Sequence, residues 1–167
     1  MSLWEHSIHT DEIHPIDIVE TLAEHHAWEF DRVGDDQIAM SVEGSWRSYA
    51  LTLAWSPGDA TLRLICTFEL EPPEERLDAL MHVVNSANDL CWGGAFTWWA
   101  GQRLMVWRYG LILSGDQIAA PEQIDQMIRT AVEGCERFYP AFQLVALAEH
   151  SPDAAIRLAI ARGYGRA

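Results

Sequence analysis

At 167 residues the chain has room for one domain whose continuous core needs neither disulfides nor a metal to hold it. Its 49% hydrophobic content is that of a folded protein, while 25 acidic against 11 basic side chains leave a formal charge of -14. Such a surface repels phosphate backbones and anionic lipid, so neither nucleic acid nor a membrane surface is expected as a partner.

Residues 1–14 are polar and His-rich and are expected to be loosely ordered ahead of a core spanning 15–161. Pro15 suits the first turn of a helix carrying Ile16, Val19, Leu22 and Ala23 on one side, ending near His26. Trp28 to Val33 reads as a strand, and Gly34-Asp35-Asp36 turns it into Ile38 to Glu43, where Ile38, Met40 and Val42 alternate with smaller or polar residues. After the Gly44-Ser45 turn, Trp46 to Trp55 sets Tyr49, Leu51, Leu53 and Trp55 against Ser48, Ala50, Thr52 and Ala54, the period-two pattern of a half-buried strand. Ser56-Pro57-Gly58-Asp59 is a turn, because proline presets φ and glycine accepts positive φ. Thr61 to Leu70 repeats the alternation and completes an antiparallel meander.

Pro72-Pro73 ends the sheet run. Glu74 and Glu75 suit the positive end of a helix with Leu77, Leu80, Met81, Val84, Ala87 and Cys91 inward, stopped by Gly93-Gly94. Next come Ala95 to Trp99 and Arg103 to Leu113, two strands joined around Gly101. Residues 92–113 hold four of the eight tryptophans and are apolar on both faces, so this pair needs two covers. A helical layer supplies one; a loop such as the segment around Trp4, a second copy of the chain or another protein must supply the other. Met105, Trp107, Tyr109, Leu111 and Leu113 share one face of the last strand, against Leu104, Val106 and Ile112, and the pattern alone does not decide which face meets the helices. Pro121 opens a helix with Ile124, Met127, Ile128, Ala131, Cys135 and Phe138 at spacings of three, four and seven. Pro140 predicts either a kinked continuation or a second short helix over Phe142 to Leu147, and Ser151-Pro152 starts a last helix through Ala161.

No residue cluster specifies a reaction. Cys66, Cys91 and Cys135 are odd in number and widely spaced, which suits small core residues better than a disulfide framework or zinc ribbon. Cys91 is turned away from His82 and Asp89 by about 160 to 180° around a helix, so the three do not form a nucleophile, base and orienter. His6, His9, His14 and the pair His25-His26 lack ligand spacing, and no metal or other cofactor is expected. Asp31, Asp35 and Asp36 read as ordinary acidic residues at a hairpin end. No apolar run approaches the ~18 residues of a membrane span, and MSLWEHSIHTDEIHP lacks the basic start and apolar stretch of a signal peptide, so a cytoplasmic location is expected.

The order helix, three or four strands, helix, two strands, helix describes a single α+β domain, an antiparallel sheet with helices mainly on one face. The stretch PIDIVETLAEHHAWEFDRV, the Gly-Ser-Trp turn at 44–46, the LxLxW strand ending at Trp55, the WGGAFTWW and VWRYGLIL pair and the helix end CERFYPAF together resemble the YbjN-like family. The resemblance covers roughly residues 14–160, and Cys135 to Phe142 is its most specific piece. It implies a regulator of bacterial sensory transduction with a fold like that of type III secretion chaperones, a binding role, and no catalytic residues to carry over. The expectation is therefore a non-catalytic protein-binding module with a regulatory or chaperone-like role, homodimeric and with a protein or peptide client. Trp99, Met105, Trp107, Tyr109 and Leu111 are the candidate partner or dimer surface. The alternative is a small-molecule sensor or enzyme with a pocket between sheet and helices, where Arg108 would meet an anionic ligand or form a buried ion pair.

Overall fold

The computed structural model describes residues 13–147 and 151–164; Trp4, His6 and His9, weighed above as a cover and as metal ligands, lie outside them. Helix α1 (Pro15–His25) leads into strands β1 (Glu29–Gly34), β2 (Gln37–Glu43), β3 (Ser48–Ser56) and β4 (Thr61–Glu69). A 3-10 turn over Glu74–Arg76 opens helix α2 (Leu77–Asp89), then come β5 (Ala95–Trp99), β6 (Leu104–Ile112), α3 (Pro121–Leu147) and α4 (Pro152–Tyr164). The six strands form one antiparallel sheet in the order β1-β2-β3-β4-β6-β5. The α+β class and element order thus agree with the reading above, with one difference: helix α2 stops at Asp89, leaving Cys91 beyond it. Of the two outcomes open at Pro140, the chain takes the continuation, α3 running through it to Leu147.

Register decides which side chains meet. Phe30, Met40, Leu51, Cys66, Trp107 and Phe96 form one row across the sheet, and Val42, Tyr49, Phe68, Met105 and Trp98 fall on the same face. This face packs against Ile16, Val19 and Ala23 of α1, Leu80, Val83 and Ala87 of α2, and Ile124, Ile128, Cys135, Phe138 and Phe142 of α3 in one core. Burying a side chain of that size contributes about 1.5 to 3 kcal/mol, so the apolar stripe of α3, rather than helix propensity, fixes its position. Helix α4 adds Ala155 and Ala159 to the same cluster, so the described helices lie on one side of the sheet.

Three local devices lock the sheet to its cover. His14 caps α1 by accepting from the Ile16 amide at 3.1 Å, and its Nε2 lies 2.8 Å from Asp36 in the β1-β2 turn. Arg32 reaches from β1 to Asp17 and Glu20 of α1 at 2.9 and 2.7 Å. At the far edge the Asn88 side chain acts as a substitute strand, giving its amide to the Phe96 carbonyl at 3.0 Å and accepting from the Phe96 amide at 2.6 Å. The Phe96 amide and carbonyl, which β5 would otherwise present to a neighbour, are occupied.

Candidate functional site

Strand β6 separates the predicted site residues. Met105 and Trp107 are buried under the helices and belong to the core, although Trp107 also lines a cleft between sheet and helices. Trp107 fits because two glycines make room: a Cβ on Gly94 would fall on its indole ring, and one on Gly134 of α3 would lie 3.4 Å from its Nε1. Tyr109 stacks on Trp107 with centroids 6.1 Å apart and planes 18° from parallel, and like Leu111 it is only half-buried. Trp99, by contrast, lies on the opposite face beside Leu104.

Arg108 also lies on that opposite face, next to Ile65, and is exposed. It therefore forms no buried ion pair and contributes nothing to a pocket between sheet and helices. The physical reason is register. Trp107 pairs with Cys66 over the core, and alternation then turns Arg108 outward.

What the structure does form between sheet and helices is a cleft of about 260 Å³ lined by Gly93, Trp107, Tyr109, Leu111, Gln123, Gln126, Met127 and Thr130. It opens where the inner face of β6 meets the N-terminal turns of α3. None of its lining residues carries a charge, in a chain whose formal charge is -14. Trp92, the residue before Gly93, is fully exposed. The α3 contribution to this lining was not anticipated; Gln123, Gln126 and Thr130 occur at helical spacings beside Met127, a signal that was present in the sequence.

A second cluster joins two of the sequence pieces that carried the family resemblance, the Gly-Ser-Trp turn and the CERFYPAF helix end. Glu136 of α3 accepts hydrogen bonds from the amides of Ser45 and Trp46 at 2.8 and 3.2 Å and from the Tyr49 hydroxyl at 2.6 Å. A Cβ at Gly44 would strike this carboxylate. Burial first, and the bond to Glu136 second, push the Tyr49 hydroxyl far above its ordinary value. The cluster is a latch between the β2-β3 turn and α3, with three donors already on the carboxylate.

The remaining candidates are structural. The Cys66 and Cys135 sulfurs approach to 3.6 Å inside the core, and burial raises the Cys135 thiol well above its usual range. Cys91 is half-buried and its thiol is likewise raised by burial, the opposite of what activates a nucleophile. His82 lies 3.5 Å from Asp153 of α4, and His26 stacks on Trp28 while its Nε2 lies 2.8 Å from Asp125 of α3. Among the described residues no three potential metal ligands converge, and no helix is long and apolar enough to cross a membrane.

A family model described as "Putative bacterial sensory transduction regulator" matches residues 15–144, from the start of α1 to the last turn of α3. The chain belongs to the YbjN family. The YbjN match takes in all six strands and the Glu136 latch, and it ends before α4. No curated protein and no solved structure gives a significant match, so the likeness to secretion chaperones has no matching structure behind it.

Proposed function

We propose that this YbjN-family protein is a non-catalytic regulatory module that binds a protein segment through the neutral aromatic cleft beside β6. The observation that carries this reading is the size and lining of the cleft together with the exposed Trp92 next to it. At about 260 Å³ it is smaller than the ~300 to 1,000 Å³ typical of small-molecule sites. It has room for a single large apolar side chain. An uncharged lining of Trp107, Tyr109, Leu111 and Met127 with a few amide and hydroxyl groups suits an aromatic or leucine anchor flanked by backbone polar groups. Trp92 could close over such an anchor, since an exposed indole is ordered at low entropy cost when a partner covers it.

The test is selection of displayed peptides on the wild-type protein, with counter-selection on Thr130→Trp, which fills the cleft. Binders sharing one aromatic or leucine position and lost on Thr130→Trp support the reading. Binding that is equal on the filled variant, or no binder that depends on the cleft, refutes it.

A further inference from the structure

Strands β4, β5 and β6 carry a second depression, of about 600 Å³, where Arg63, Arg108 and Trp99 come together over small residues such as Ala95 and Gly110. It shares only Tyr109 with the cleft. Positive charge is scarce in this chain: its eleven basic side chains are all arginines, set against 25 acids. Arg32, Arg63 and Arg129 are paired with carboxylates, and Arg103 donates to a backbone carbonyl. Arg108 is exposed and has no hydrogen bond, ion pair or ring contact among the described residues. Register is the reason. Its neighbours on this face are Ile65 and Ala95 directly across and Arg63, Thr67 and Thr97 on the diagonals, none of them acidic. Diagonal neighbours stand ~7 to 8 Å apart, so two guanidiniums share one patch with Asp59 paired to Arg63 alone.

Trp99 supplies a flat surface beside them. Its backbone stands in the row of Leu104, yet it lines the depression with Ala95 and Gly110, so its indole extends along β5 across the row of Thr97 and Val106. Val106 is fully buried although the described helices all lie on the opposite face. An indole laid over it accounts for both observations and leaves its other ring face, on a half-buried side chain, open beside Arg108.

From this combination we infer that the depression binds a small planar anion, an aromatic or heteroaromatic ring carrying a carboxylate or a phosphate. The ring stacks on Trp99, and the oxyanion takes the Arg108 fork in a bidentate pair with Arg63 as a second positive charge. Electrostatics sets the size class. A formal charge of -14 repels a polyanion along its whole length, whereas screening over ~8 Å lets a compact anion respond to the two guanidiniums beside it. The volume also falls within the ~300 to 1,000 Å³ of small-molecule sites.

The test is isothermal titration calorimetry on the full chain with four probes. Adenosine monophosphate and 4-hydroxybenzoate join a ring to a phosphate or a carboxylate; adenosine and inorganic phosphate carry one half each. At least one of the two ringed anions is expected to bind with a Kd below about 1 mM, and at least about tenfold more tightly than adenosine or phosphate; which one binds names the oxyanion. Arg108→Gln should weaken that binding at least about tenfold. Ala95→Glu, at an exposed position directly across from Arg108, supplies the carboxylate the fold lacks and should weaken it as much, with circular dichroism as the check on folding. Thr130→Trp, which fills the cleft, should leave it unchanged, so the two sites are tested separately. The inference is overturned if neither ringed anion binds at about 1 mM, if adenosine alone binds as well, if binding survives either Arg108→Gln or Ala95→Glu, or if Thr130→Trp abolishes it.

Discussion

Removing the Glu136 carboxylate tests whether the latch between the Gly44-Ser45-Trp46 turn and α3 stabilises the fold. In Glu136→Ala three acceptor contacts vanish, but their costs differ. The amides of Ser45 and Trp46 belong to an exposed turn and can turn to water, so each loss should cost about 0.5 to 1 kcal/mol. The Tyr49 hydroxyl has no such escape, because Tyr49 is fully buried; left without a partner it should cost about 1 to 3 kcal/mol. The sum is about 2 to 5 kcal/mol. Tyr49→Phe alone removes one hydrogen bond and leaves Glu136 its two amide donors, so about 1 to 1.5 kcal/mol is expected. In Glu136→Ala with Tyr49→Phe the orphaned hydroxyl no longer exists, and the pair should be less destabilised than the two single changes added together, by about 1 to 2 kcal/mol. Urea denaturation of all four proteins, read as midpoint and slope, measures the cycle. A coupling below about 0.5 kcal/mol, or a Glu136→Ala loss below about 1 kcal/mol, would refute the claim that the carboxylate is held by a buried donor.

Three further outcomes follow from the packing and the titrating groups. Gly94→Ala should cost at least about 3 kcal/mol in the same denaturation experiment, because a φ of 91° strains any L side chain and the new methyl meets the Trp107 ring; a loss under 1 kcal/mol would mean that Trp107 is not wedged there. Stability should fall as pH rises above about 9 to 10 under reducing conditions. The folded protein retains protons on Cys91, Cys135 and Tyr49 that the unfolded chain has lost, so their contribution is whole below the unfolded values and declines above them, by at most about 1.4 kcal/mol per pH unit for each group. Tyr49→Phe should flatten the part of this slope above pH 10, and an unchanged slope would contradict the burial of the hydroxyl. Pro140→Ala should raise stability by about 1 to 3 kcal/mol by restoring an amide donor inside α3, and a destabilised variant would show that the ring's packing outweighs the lost bond.

Most of the fold was legible because strands with period two and a helix with a clean apolar stripe announce their inward faces. Strand β6 was the exception. Both of its faces are apolar, so periodicity could not choose between Trp107 and Val106 as the inward residue; the register with β4, a non-local property, makes the choice. Gly134, a glycine inside a helical stripe, and Gly94 were the local hints, since each marks a place where a bulky ring comes close. Of the residues read as a candidate surface, Trp107, Tyr109 and Leu111 line a cleft, while Met105 is core and Trp99 sits on the far face. Glu136 was invisible as a functional unit. It looked like one polar residue within CERFYPAF, and its partners lie some 90 residues earlier in the chain.

The Asn88 clasp on Phe96 limits what this sheet can become. A sheet with two open ends can add copies without end, whereas a terminal strand whose Phe96 amide and carbonyl are held by a side-chain amide disfavours addition at that end. Edge-to-edge growth confined to the β1 side terminates after two chains. The Asn88 amide thereby biases assembly through strand edges toward closed, countable complexes.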